Sequence, residues 1–153
     1  MIIRKATTED IDSINALLYE LDTDAINMQP QHFQRGSRSV EYLSGLIHDD
    51  KSDFLLAVID GNIIGLSLLF EKQTPDISLL VPYKFGYIQD FVITKNCRSK
   101  GIGSLLMEKS KEWAKNRDLA YIRLSVLIEN KDAQRFYARH GLYQRMASLE
   151  CKI

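Results

Sequence analysis

The sequence predicts one α/β (α+β) domain, a mixed β-sheet carrying helices. Three observations point to it. Strand-like and helix-like apolar periods take turns along the chain. An Asp-Gly pair at residues 60–61 joins two β-rich runs, which is a hairpin signal. A glycine loop, "CRSKGIGSLL" at 97–106, joins a strand to a helix. With 153 residues the chain is long enough for one core of ordinary size.

The elements follow in order. "MIIRKA" reads as a first strand. "TTEDIDSINALLYELD" (7–22) reads as a helix with Thr7 or Thr8 as cap and Glu9 and Asp10 in its first turn. Its apolar face is Ile11, Ile14, Leu17, Leu18 and Leu21. Residues 23–38 read as polar and irregular, and "SVEYLSGLIHDD" as a short second helix. "FLLAVI" and "IIGLSLLF" flank the Asp-Gly turn. Residues 72–84, with Pro75 and Pro82, receive no element, and "FGYIQDFVI" is the next strand. A helix from about Lys100 to Asn116 buries Ile102, Leu105, Leu106, Trp113 and Ala114. "YIRLSVL" reads as a strand, and "NKDAQRFYARHG" as a helix capped by Asn130 and stopped by Gly141. "LYQRMASLECKI" closes the chain as one or two further strands.

Composition narrows the function. Lys+Arg and Asp+Glu both number 20, a balance that argues against a general nucleic-acid binder. No apolar run approaches the roughly 18 residues of a membrane span, and the N-terminus lacks a signal-peptide layout. A cytoplasmic protein is the simplest expectation. Cys97 and Cys151 read as reduced thiols. His32, His48 and His140 carry no metal-ligand spacing, so no metal site is expected.

The glycine loop carries the chemistry. Peptide N–H groups at a helix N-terminus are unpaired and partly positive, and a phosphate placed there accepts several hydrogen bonds at once. Gly101 and Gly103 remove Cβ atoms from the approach, and Arg98, Lys100 and Lys95 add positive charge. A helix start with a solvated basic face would look the same. Two phosphate motifs fail here. The GxxxxGK[ST] string is absent, and a dinucleotide GxGxxG would need glycine where Leu106 stands. A third pattern, R/Q-x-x-G-x-G/A after a strand, is met by Arg98-Ser99-Lys100-Gly101-Ile102-Gly103.

At these residues the chain resembles the GCN5-related N-acetyltransferase (GNAT) superfamily. "YIQDFVITKNCRSKGIGSLLMEKSKEWAK" is similar to that family's core strand, pyrophosphate loop and helix. "LSVLIENKDAQRFYARHGL" is similar to its second core segment. The resemblance implies a mostly antiparallel mixed sheet of six or seven strands, with a splay between two core strands and helices on both faces. It implies acetyl-CoA as co-substrate, its pantetheine lying along Phe91, Val92 and Ile93. The pyrophosphate would sit on the amides of Arg98, Ser99, Lys100, Gly101, Ile102, Gly103 and Ser104, with Asn130 near the pantetheine arm. Tyr137 matches a tyrosine that protonates the departing thiolate, although its place on a helical stripe with Ala133, Phe136 and His140 also fits a core aromatic. The family leaves room for a homodimer through the sheet edge or the C-terminal strands.

Acetyl transfer to an amine requires neutral nitrogen. A lysine-like amine pays about 4 kcal/mol for that at neutral pH, an α-amine well under about 1 kcal/mol. A backbone N–H near Val92 could hold the oxyanion of a tetrahedral intermediate. Asp90 is the candidate base or amine-positioning group, with Glu71, a structural role for Asp90, or a water chain as alternatives. Simple alternation puts Asp90 on one face with Ile88 and Val92, which a bulge or a polar pocket would have to explain. The expected acceptor is a small-molecule amine. A protein N-terminus or lysine, or a non-catalytic coenzyme A sensor, remain alternatives.

Overall fold

The computed structural model describes residues 1–153. Its sheet has five strands in the order β1-β2-β3-β4-β5: β1 (Ile2–Lys5), β2 (Ser52–Ile59), β3 (Asn62–Gln73), β4 (Lys84–Ile93) and β5 (Ile122–Arg123). Four helices accompany them: α1 (Ile11–Met28), α2 (Val40–His48), α3 (Ile102–Lys115) and α4 (Lys131–Arg139). The first three pairings are antiparallel and β4–β5 is parallel. The hairpin between β2 and β3 turns at Asp60 and Gly61, both with positive φ, as a two-residue turn of this twist requires.

The sheet divides two cores. On one face, Ile14, Leu17 and Leu18 of α1 and Leu43 of α2 pack on Phe54, Leu56, Leu66, Leu68 and Val92. On the other, Leu106, Met107, Trp113 and Ala114 of α3 pack on Leu55, Leu69 and Ile88, with Phe136 and Tyr137 of α4 at the margin. The sequence places Leu105 on the buried stripe of α3. The structure leaves it half exposed and buries Met107 and Ser110 instead, so the stripe is rotated by about one residue. The Ser110 hydroxyl donates to Ser67 Oγ and Leu106 O, which satisfies a polar group inside the core.

Three expectations are corrected. α1 continues to Met28, past the expected end at residue 22. Nothing between 23 and 28 breaks a helix, and the stop comes from Pro30, which disfavours helical backbone at Gln29. β5 has two residues where seven were expected. The C-terminal strands do not form: residues 143–153 belong to no helix or strand, are exposed and have no sheet partners. The sheet therefore has five strands, not six or seven. Strand identity depends on a partner as much as on composition, and these segments find none within the chain.

Candidate active site

β4 supplies the backbone of the site. It pairs along its whole length with β3, but with β5 only at Gly86 and Tyr87. From Ile88 onward its second edge is open, which is the expected splay. Leu68 pairs with Asp90 and Leu69 with Ile88, so Gln89 is an extra, bulged residue. The bulge resolves the odd alternation. Ile88 points into the α3 core, whereas Asp90 and Val92 point to the α1–α2 face. Thr94 N–H donates to Ile64 O (2.8 Å), on the β3 side. By alternation Val92 also turns its peptide group toward β3, and Phe91 and Ile93 turn theirs to the open edge. Val92 thus lines the site only through its neighbours, and the N–H free for an oxyanion belongs to Phe91 or Ile93.

The loop that follows is a run of free donors. Ser99 (φ 61°) and Gly101 (φ 80°) are both left-handed. The N–H groups of Ser99 through Ser104 make no backbone hydrogen bond, since the first helical bond is Leu105 N–H to Gly101 O (3.2 Å). They converge at the positive end of α3, a cradle for a doubly charged group. The two glycines differ in purpose. Around Gly101 a Cβ would meet nothing within 4 Å, so this residue serves the left-handed turn and open space for a ligand. A Cβ on Gly103 would come 3.4 Å from the Phe136 ring, so Gly103 lets α4 pack close.

The cations of the motif behave differently from the expectation. Arg98 turns back: Nε donates to Ile93 O (2.8 Å) and a terminal nitrogen to Asp24 (3.1 Å). Lys100 Nζ donates to Asn96 O (3.1 Å). Both shape the loop with their side chains, but only the Lys100 amide is free: Arg98 N–H already donates to Lys95 O (3.4 Å), so the free run starts at Ser99 and not at Arg98. Glu20 of α1 fastens the loop's start, accepting from Thr94 Oγ1 (2.5 Å) and Lys95 N–H (3.2 Å). Ser104 Oγ lies 3.1 Å from His140 Nε2, and His140 Nδ1 lies 3.1 Å from Glu108. This chain ties α3 to the end of α4. Lys111 first, then His140, holds the Glu108 carboxyl below its ordinary range.

The remaining candidates flank the open edge. Tyr137 packs edge-on against Phe91 (centroids 6.3 Å) and Phe136 (5.4 Å). Its hydroxyl has no partner within the chain, and burial pushes its pKa up to about 12. Asn130 caps α4: its Oδ1 accepts from Ala133 N–H (3.1 Å), which leaves its amide nitrogen free. On the opposite face of β4, Asp90 lies in a cleft of about 510 Å³ with Leu18, Arg38, Ser39, Tyr42, Leu43 and Gln89. Asp90 accepts no hydrogen bond from the chain. Burial raises its carboxyl above the ordinary range, Arg38 opposes this, and Asp22 adds to it. Arg38 forks onto Asp22 at 2.6 and 3.0 Å. Glu71 is removed from this cleft, held by Arg117 (3.0 Å) and Lys84 (3.5 Å). Arg38, Glu20 and His140 escape sequence reasoning, because each meets its partners only through folding. No group of three or more His, Cys, Asp or Glu residues could hold a metal ion. No helix is long and apolar enough to cross a membrane.

Comparison with known proteins extends the picture. A family model described as the acetyltransferase (GNAT) family matches residues 16–142. The aminoalkylphosphonate N-acetyltransferase of Salmonella typhimurium is 32% identical over 142 residues, 93% of this chain and 84% of that protein. The streptothricin acetyltransferase of Escherichia coli is 28% identical over 145 residues, 92% of this chain and 78% of that protein. The crystal structure of a tetramutant of the BH1408 protein from Bacillus halodurans superposes with a TM-score of 0.94 at 25% identity, covering 100% of both chains.

Proposed function

We propose that this chain, which belongs to the acetyltransferase (GNAT) family, moves an acetyl group from acetyl-CoA to the primary amine of a small molecule. One observation carries the reading. A single strand, β4, leads through a short turn into a run of six unpaired amides suited to a diphosphate, and its Asp90 lines a cleft on the α1–α2 face. The open space beside Gly101 and the strand edge at Phe91 and Ile93, where Arg98 Nε occupies only the Ile93 carbonyl, fit the diphosphate and the amide-bearing arm of coenzyme A. Acetyl-CoA supplies a thioester, an acyl donor with a good leaving group.

The chain's residues then have distinct work. The Ser99–Ser104 amides and the Phe91–Ile93 edge fix the donor's direction. Asp90, with its raised pKa and empty acceptor sites, receives the proton that an ammonium must lose. An N–H of Phe91 or Ile93 holds the charge that develops on the carbonyl oxygen. Tyr137 keeps its proton at neutral pH and hands it to the departing sulfur. Asp90 and Tyr137 approach from opposite faces of β4, so proton removal and proton delivery do not compete for one volume.

The cleft supports a small acceptor. Its volume lies in the range of small-molecule sites. The two related enzymes are named for an aminoalkylphosphonate and for streptothricin, both small molecules. The test is free-thiol release from acetyl-CoA across a panel of small amines, aminoalkylphosphonates included, and peptides. Amine-dependent release with at least one small amine supports the reading. Coenzyme A binding without amine-dependent release would make this a sensor, and release with peptides alone would move the acceptor to protein.

A further inference from the structure

The cleft on the α1–α2 face keeps its unspent polar groups apart by sign. From β4 it receives Asp90, a carboxylate that accepts no hydrogen bond from the chain. From the segment that enters α2 it receives Ser37, Arg38, Ser39 and Tyr42. These are donors. Ser39 Oγ accepts from Tyr42 N–H (3.1 Å), which leaves the hydroxyl proton of Ser39 unspent. The hydroxyls of Ser37 and Tyr42 have no partner in the chain. Arg38 and Asp90 are the only charged residues that line the cleft, one of each sign.

Arg38 is held but not used up. A guanidinium has five N–H donors. The fork onto Asp22, at 2.6 and 3.0 Å, takes two of them, so Nε–H and one N–H on each terminal nitrogen remain. Asp22 does not line the cleft. It lines a neighbouring cavity of about 180 Å³, which Arg38 also borders, so Arg38 separates Asp22 from the cleft. Asp22 therefore fixes the guanidinium from behind and leaves its other edge to a ligand. Arg38 is also near enough to Asp90 for its charge to oppose the rise of that carboxyl. A second ammonium would find no carboxylate here beyond Asp90, since both Asp22 oxygens are bound to Arg38, and it would meet Arg38 itself. A plain alkylamine would cover the free N–H groups without pairing them.

We infer that the acceptor is a small zwitterion, a primary amine whose carbon chain also carries a carboxylate or phosphonate, with that anionic group on Arg38 and the amine at Asp90. The charges then alternate from Asp22 through Arg38, the anion and the amine to Asp90. The remaining edge of the guanidinium offers two parallel N–H groups, a geometry that carboxylates and phosphonates match with two oxygens. Ser37 and Ser39 flank it with hydroxyl donors, and Leu18, Leu43 and Leu68 face the carbon chain. The inference rests on the small-amine reading above and names the chemistry of that acceptor. Arg38 is its specificity-determining residue.

The test is titration calorimetry of the full chain, in the presence of coenzyme A, with four amines of similar size: propylamine, 1,3-diaminopropane, β-alanine and 2-aminoethylphosphonate. The two anionic amines should bind roughly tenfold or more tighter than the other two. Comparison of the two tells carboxylate from phosphonate. Arg38→Gln should erase the preference, and Arg38→Lys should recover part of it. Arg38→Gln also strips Asp22 of its partner, so Asp22→Asn is the companion variant. It keeps the charge of Arg38 and should keep the preference. Equal affinities, tighter binding of the diamine, no binding of either anionic amine, or a preference that survives Arg38→Gln or is lost in Asp22→Asn would each overturn the inference. Thiol release is read separately. Release without the preference overturns the zwitterion and leaves acetyl transfer standing. The preference without release upholds the subsite and overturns acetyl transfer.

Discussion

A carboxylate partly withdrawn from water without gaining a donor raises the energy of the folded state, and Asp90, half-buried at the cleft, is in that position. Its folded pKa lies above the unfolded value, so the cost is absent below the ordinary carboxylate pKa and grows as pH rises through it. Asp90→Asn should therefore raise the melting temperature at pH 7. The same substitution should lower kcat/KM by about 10²-fold and flatten the acid limb of its pH profile, because the proton acceptor is lost. A stabilised variant that keeps its pH–rate profile would remove Asp90 from the chemistry. Tyr137 gives the complementary case. Its pKa near 12 means that it carries its proton through the whole working range, so it can act as an acid and not as a base. Tyr137→Phe should leave stability nearly unchanged, since the hydroxyl bonds to nothing in the chain, and should reduce kcat by roughly 10- to 100-fold with little change in KM for acetyl-CoA. Steady-state kinetics at several pH values checks both.

The loop and α3 show what local sequence can announce. A strand, a left-handed glycine and a helix start are neighbours in the chain, so "CRSKGIGSLL" displays its anion cradle without knowledge of anything distant. Gly101→Ala should cost about 1–2 kcal/mol, because φ is 80° there, and should raise KM for acetyl-CoA about tenfold or more by disturbing the amides. Gly103→Ala should do less, since the Phe136 ring at 3.4 Å has only a few tenths of an ångström to yield. Titration calorimetry with coenzyme A ranks the two. Other features were illegible for equally physical reasons. The bulge at Gln89 is set by register against β3, and its only trace in the sequence is a carboxylate on an apolar face. Arg98 carries positive charge in the motif, yet its side chain is spent on Ile93 O and on Asp24, 74 positions away. Ser104 and His140 meet across 36 positions. The seven-residue strand and the closing strands were read from composition, which states what a segment can do but not whether an edge is there to receive it.

At the scale of the molecule, the sheet is closed on its β1 side by charge. Arg4 of β1 forks onto Asp10 at 2.7 and 2.8 Å, and Asp10 also accepts from Thr7 N–H (2.8 Å), fixing the entry to α1. Lys5 reaches Asp53 (2.9 Å), which also accepts from Trp113 Nε1 (2.7 Å), so β1, β2 and α3 share one carboxylate. The β4 side, where we place the ligand, is open from Ile88 onward. This division places the acid sensitivity of the fold away from the chemistry. The hydrogen bond from Arg4, with Thr7 adding and burial opposing, lowers Asp10 from 3.8 to about 2. A depressed carboxylate stabilises fully above its unfolded pKa and loses that contribution as pH falls through its folded value. Stability should thus decline between about pH 4 and pH 2 by about 1–2 kcal/mol from this residue, discounted because Arg4 is 38% exposed and screened by solvent. Asp10→Asn should remove that part of the decline and lower stability at pH 7 by a similar amount, while KM for acetyl-CoA stays as it was. Urea unfolding at pH 7, 4 and 2 reads the difference. A variant that declines with acid as steeply as the parent chain would show that the staple at β1 is not what acid releases.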